Sequence, residues 1–146
     1  TAGLERMDVT IAPLCRYADV LMATRGAIRS CIPPTVHNAI CLRATHDASV
    51  LIDDMSTGNG VGADMEAAIR MNASAVAIQC FIGGAGEARS LETLCRAVDA
   101  GERYGIPVLG VTAVGGSLEE AIEQAYAACK PISFQDMHFR TDIGKV

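Results

Sequence analysis

With 146 residues, half of them hydrophobic and 20% charged, the chain has the size of one ordinary domain with a real core. No run of eighteen or more residues is free of charge, which excludes a membrane-spanning helix. The net charge of −5 without any Lys/Arg cluster excludes a nucleic-acid surface, which needs cations to displace counterions from phosphates.

The N-terminus has no basic segment leading into an apolar one, so no secretory signal is expected. A start without Met is read as processed, truncated or trimmed. The cysteines Cys15, Cys31, Cys41, Cys80, Cys95 and Cys129 show no CxxC pairing, and most lie in apolar runs where a free thiol acts as a small hydrophobe. A disulfide framework is not expected, and a cytoplasmic location is.

Leu4, Met7, Ile11, Leu14 and Tyr17 fall at helical spacing, which predicts a helix over 4–17 with a kink or early stop at Pro13. Ala18–Ala23 reads as a buried strand and Thr24-Arg25-Gly26 as its exit loop. Pro33-Pro34 breaks the chain, and Ala39–Ala44 is a second strand. Residues 53–63 are polar and glycine-rich, hence a loop. Asp64 caps a helix bearing Ala67, Ala68 and Met71 on one face. Ala73–Phe81 is a third strand, and Gly83-Gly84-Ala85-Gly86 leads to a helix starting at Ser90 and closed by Gly105, where a left-handed residue is wanted. Ile106–Val114 is a fourth strand. Ser117 with Glu120 forms a capping box for a helix to about Cys129, ended by Pro131.

Alternating strands and helices, with strands apolar on both faces, give an α/β fold with a parallel sheet. Four βα units make half of a TIM barrel, whose whole takes roughly 250 residues. An open parallel sheet with helices on both faces fits the same length, and periodicity leaves the two open.

Gly3-Leu4-Glu5-Arg6, Ile11-Ala12-Pro13-Leu14, Ala18-Asp19-Val20-Leu21-Met22 and Thr24-Arg25-Gly26 occur in order. Arg29-Ser30, Pro33-Pro34, Leu42-Arg43-Ala44, Ala75-Val76-Ala77, Ile82-Gly83, Val98-Asp99-Ala100-Gly101 and Val111–Gly115 follow. Over residues 1–116 this resembles the DhnA-type class I aldolases, a group that includes autoinducer-processing thiolases acting on a phosphorylated pentane-dione. The resemblance implies a TIM barrel, phosphosugar-like substrates and a Schiff base on a lysine of the sixth strand. That lysine and the phosphate loops of the last strands would fall after the likeness stops, and the Asp of the first strand before Thr1. From Val108, through Ser117-Leu118-Glu119-Glu120-Ala121 and Met137–Gly144, the chain is similar instead to the C-terminus of glycinamide ribonucleotide synthetase, a purine-pathway ligase. Residues 117–146 are therefore read as a ligase-like helix and tail packed on the same domain.

A Schiff-base lysine needs an apolar pocket that frees its amine near neutrality. The only lysines are Lys130 and Lys145, one at a helix end before Pro131 and one beside the C-terminus, so no catalytic residue is assigned. Arg25 and Arg43 follow apolar strands at the end where parallel-sheet proteins build sites. They either meet a phosphate or carboxylate, or cap helix ends or pair with Asp19 or Asp47 on the rim. Gln79 and Thr112 are further substrate-pocket candidates, or satisfied core residues. Gly83, Gly84 and Gly86 could cradle a phosphate on backbone N–H groups, although the run is neither GxGxxG nor followed by GK[ST]. His37, His46 and His138 have no ligand spacing, so no metal and no cofactor is expected.

The expectation is a fragment or chimera of a class I aldolase/thiolase that acts on a small phosphorylated keto or sugar substrate and is inactive alone. The alternatives are a non-catalytic, self-assembling half-barrel or a piece of the ligase. The partners expected are a small phosphorylated metabolite and a second copy or complementing barrel half, with no nucleic acid and no membrane.

Overall fold

The computed structural model describes residues 6–47, 51, 57–58, 60–114, 123 and 127. The chain enters through α1 (Met7–Leu14), with Pro13 in its last turn, and tightens at once into a single 3-10 turn at Cys15–Tyr17. Proline lacks the N–H of a helical bond and crowds the carbonyl four residues back, so the helix ends early, one residue past Pro13, as expected there. Strand β1 (Val20–Thr24) follows, then α2 (Arg25–Cys31). The sequence reading placed an exit loop here. A seven-residue helix beginning Arg-Gly gives too little periodicity to be seen. Ile32, held extended before Pro33, ends it.

Strand β2 (Ala39–Arg43) leads into β3 (Thr45–His46), which pairs antiparallel with β4 (Gly60–Val61). The predicted loop over 53–63 thus ends in a short strand, two residues being too few to show alternation. Asp64 caps α3 (Met65–Arg70) by accepting the Ala67 N–H at 2.8 Å. Strand β5 (Ala75–Ile82), α4 (Glu87–Tyr104) and β6 (Val108–Val114) complete the described chain. Gly105 closes α4 in the left-handed region at φ +71°, as its position after Tyr104 requires.

Helix α4 starts at Glu87, three residues before the expected cap at Ser90. Ser90 is buried instead. Its hydroxyl accepts the Phe81 N–H at 3.1 Å and lies 2.9 Å from the Glu87 carbonyl, so it fastens the helix to β5. At the other end Gly101 lets α4 lie directly on the turn into β6. A Cβ there would stand 2.5 Å from the Ile106 carbonyl oxygen and 2.8 Å from Val108 Cγ2.

The four long strands form one parallel sheet in the order β1-β2-β5-β6, so spatial order follows chain order. Right-handed crossovers that all advance in one direction place the crossover helices α2, α3 and α4 on one side. The core bears this out: Leu42, Val76, Ile78 and Cys80 from the sheet share one cluster with Ile28 of α2, Ala67 of α3 and Leu94 and Ala97 of α4. An open sheet with helices on both faces would need the strand order to reverse, and it does not. The opposite face carries Val20, Met22, Arg43, Ala77, Gln79, Leu109 and Val111 by register and alternation. This one-sided wrapping belongs to half a barrel. Of the predicted helix over 117–129, only positions 123 and 127 are described, both helical; the rest of that element and the tail lie outside the described residues.

Candidate functional site

The carboxyl ends of β1 and β2 open on a cleft of about 200 Å³, lined by Thr24, Arg25, Arg43, Thr45 and His46 among others. Arg43 is the last residue of β2 and stands in register with Thr24 of β1 and Ala77 of β5. Two residues on in β5, on the same face, Gln79 accepts a hydrogen bond from Arg43 Nη2 through Oε1. The same nitrogen pairs with Asp47 Oδ1 at 2.5 Å. Behind this pair Thr45, 2% exposed, accepts the Gln79 N–H on its hydroxyl at 3.0 Å. The Ala44 carbonyl takes the N–H groups of Gly62 and Ala63 at 2.7 and 3.2 Å, which ties the β4 side of the cleft to β2.

The Arg43–Asp47 pair has side chains 31% and 40% exposed, so solvent screening leaves it worth little as a source of stability. Its effect is geometric: Asp47 and Gln79 orient the guanidinium at the cleft. Among the described residues both of these bonds run through Nη2, and a guanidinium has five N–H donors in a planar fork suited to phosphate or carboxylate. Arg25, at the start of α2, brings a second cation to the same cleft.

Arg25, Arg43 and Gln79 are therefore gathered at one rim, and the Asp47 pairing foreseen for Arg43 is present alongside. Thr112 lies elsewhere. It stands in register with Cys80 and two residues from Gly110, whose Cβ position is 3.4 Å from Leu94 of α4, and so belongs to the helix-facing side. The glycine turn after β5 is also occupied. Gly83, at φ +86°, donates its N–H to Glu87 Oε2 at 2.7 Å, and the Glu87 N–H donates to the Gly84 carbonyl. The Glu87 carboxylate thus sits on a donor that a phosphate would use, and Gly86 is the N-cap residue of α4. Thr45 was not singled out from sequence, and His46 was weighed only as a metal ligand. Their signal was the polar residues Arg43, Thr45, His46 and Asp47 immediately after an apolar strand.

The described cysteines are free thiols. Burial pushes the Cys41 and Cys80 thiols above the ordinary cysteine range, with the charge of Cys95 adding to the effect at Cys80. No group of three or more His, Cys, Asp or Glu side chains among the described residues could hold a metal ion. No described helix is long and apolar enough to cross a membrane.

Comparison with known proteins assigns the chain in two parts. Residues 64–146 match the family model of the phosphoribosylglycinamide synthetase C domain. Over those residues the chain belongs to that family. The match begins at Asp64, well before the Val108 expected from sequence. The thiolase of Yersinia pseudotuberculosis that acts on 3-hydroxy-5-phosphonooxypentane-2,4-dione is 46% identical over 115 residues, 79% of this chain and 39% of that protein. The Salmonella typhimurium protein of the same name is 42% identical over 126 residues, 86% of this chain and 42% of its own length. These identities establish the DhnA-type class I aldolase likeness over about four-fifths of the chain. The chain spans about two-fifths of the length of the curated relatives it matches. An archaeal fructose 1,6-bisphosphate aldolase superposes with TM-score 0.64 at 17% identity, covering 85% of this chain and 54% of that one. That likeness speaks for the fold, half of a TIM barrel. The two family matches necessarily overlap, and the segment β5-α4-β6 lies within the ligase-family match while forming part of the aldolase-like sheet.

Proposed function

We propose that this chain is an aldolase-type half-barrel joined near Gly116 to a ligase-like tail, and that its C-terminal rim binds a small phosphorylated keto or sugar compound without carrying out carbon–carbon bond chemistry on its own. One observation carries the binding part: Arg25 and Arg43 line one cleft at the carboxyl ends of adjacent parallel strands, where α/β proteins place their ligands. The names of the relatives support the ligand class. A phosphonooxy-pentanedione, a fructose bisphosphate and a phosphoribosyl compound all present a phosphate on a short carbon chain. The rim itself is polar and carries two guanidinium groups, one of them oriented by Asp47, which suits the phosphate end.

The lack of bond chemistry rests on the lysines. A Schiff base needs a desolvated amine beside the substrate, and no described strand carries a lysine; Lys130 and Lys145 are the only ones in the sequence. The test has two arms. Phosphate and ribose 5-phosphate are titrated by NMR against the unaltered protein and against Arg43→Ala and Arg25→Ala. Saturable shifts at the rim, weakened by both substitutions, are expected, and shifts indifferent to both would refute the site. Borohydride is then added with a phosphorylated ketose. Covalent trapping on Lys130 or Lys145 together with aldol cleavage would overturn the claim of inactivity.

The family match over 64–146 favours a second reading, a piece of the ligase. ATP- and glycine-dependent ligation by the pure chain would establish it, and none is expected.

A further inference from the structure

The sheet face that bears Arg43 and Gln79 is open along its edge strands. There Val20 is 54%, Met22 48%, Leu109 48% and Val111 40% exposed, whereas Cys41, Ala77 and Phe81 on the inner strands of the same face are 3%, 1% and 8% exposed. The four exposed apolar side chains all come from β1 and β6, the two edges of the described sheet. The inner positions between them are small toward the amino ends of the strands, at Ala39, Cys41, Ala75 and Ala77, and large only toward the rim, at Arg43, Gln79 and Phe81. Among the described residues, neither edge strand carries a protective device of its own. Val20–Thr24 and Val108–Val114 contain no charged residue and no proline, the devices by which proteins keep strand edges from pairing.

From these features we infer that a second copy of this chain covers the open face, β6 of each copy pairing with β1 of the other to close an eight-stranded barrel. A two-fold axis along the strands leaves strand direction unchanged, so both new pairs are parallel, as are all pairs within the sheet. A two-fold contact is also self-closing and stops at two copies. The size fits: one chain covers 54% of the archaeal aldolase, so two supply one barrel. The bulky edge residues of each copy then lie across a small inner floor, the large-against-small arrangement that fills a barrel interior. Because strand direction is kept, the Arg25–Arg43 clefts of both copies open at the same mouth. This assembly does not depend on ligand binding there, so the two proposals fail separately.

Sedimentation of the full chain over a wide concentration range tests it. The expected species has twice the 15.3 kDa chain mass. Met22→Lys and Val111→Lys each place a charge at the buried seam and are expected to weaken association roughly tenfold or more, while Ile69→Lys on the outer helix α3 leaves it unchanged. Hydrogen exchange on the unaltered protein needs no variant: amides of β1 and β6 become protected as concentration rises. A monomer at every concentration overturns the inference, whether the face is then covered by residues 115–146 or by a foreign chain. A dimer whose edge amides exchange freely, or which both lysine substitutions leave intact, overturns it as well.

Discussion

Arg43 and Gln79 stand on neighbouring parallel strands and on the same face of the sheet, and the guanidinium donates to the amide oxygen across the gap. The contact fixes where the cation points. Gln79→Leu keeps the size of the side chain and removes the acceptor, leaving Asp47 to hold the guanidinium alone. We expect phosphate affinity to fall by about 1 kcal/mol, the net worth of one such bond. NMR titration measures it, with circular dichroism unchanged. Undiminished affinity would mean that the contact does not orient Arg43 for binding.

Two substitutions separate a buried latch from an exposed cap. Ser90→Ala strands the Phe81 N–H in the interior and should cost about 1–3 kcal/mol. Asp64→Ala removes a cap that accepts one N–H at the surface and should cost about 1 kcal/mol. Urea denaturation at constant m-value gives both, and the order Ser90 above Asp64 is the point at issue.

Gly101 and Gly60 make a second contrast. Gly101→Ala drives a methyl into the backbone oxygen of Ile106, which cannot yield without moving β6, so roughly 1–3 kcal/mol of destabilisation is expected. Gly60→Ala meets His46 Nε2 at 2.6 Å, the far end of a side chain that can rotate away. Stability should change little there, while the His46 ring resonances shift. Equal losses at both sites would contradict the packing described.

Cysteine chemistry tests burial directly. Among the described cysteines, the exposed Cys95 should be alkylated first in the native protein at mildly alkaline pH, with Cys41 and Cys80 reacting only as the chain opens; peptide mapping by mass spectrometry gives the order. The raised thiol pKa values also set a sign for stability. The unfolded chain ionises first, from about pH 8.5, so the contribution is whole below that pH and is lost as pH rises through the native values. Thermal melts should therefore fall on the alkaline side, and less steeply for Cys80→Ala.

The strands and α4 were legible in sequence because their signals are long: seven apolar residues and Gln79 from Ala75 to Ile82, eighteen helical residues closed by Gly105. Asp64 was equally plain, since a capping aspartate before an alanine-rich turn has one local meaning. Helix α2 and the β3–β4 pair were hidden by brevity. The choice between a half-barrel and an open sheet was hidden for another reason. It depends on which strand lies beside which, and no local pattern encodes that. The rim shows the same division: Arg25, Arg43 and Gln79 were visible as polar ends of apolar strands, but Thr112 looked identical in sequence and falls on the other face by alternation. The glycine turn could not be judged until Glu87 was seen to fold back onto Gly83.

The strand order also bears on how the molecule is made. Each long strand lies beside the one synthesised before it, so every pairing is available as soon as its second strand has emerged, and none waits for the far end of the chain. Contacts of this local kind lower contact order and favour fast assembly, and they let folding proceed during translation. A growing chain of this type carries its newest strand as an unpaired edge until the next strand emerges beside it.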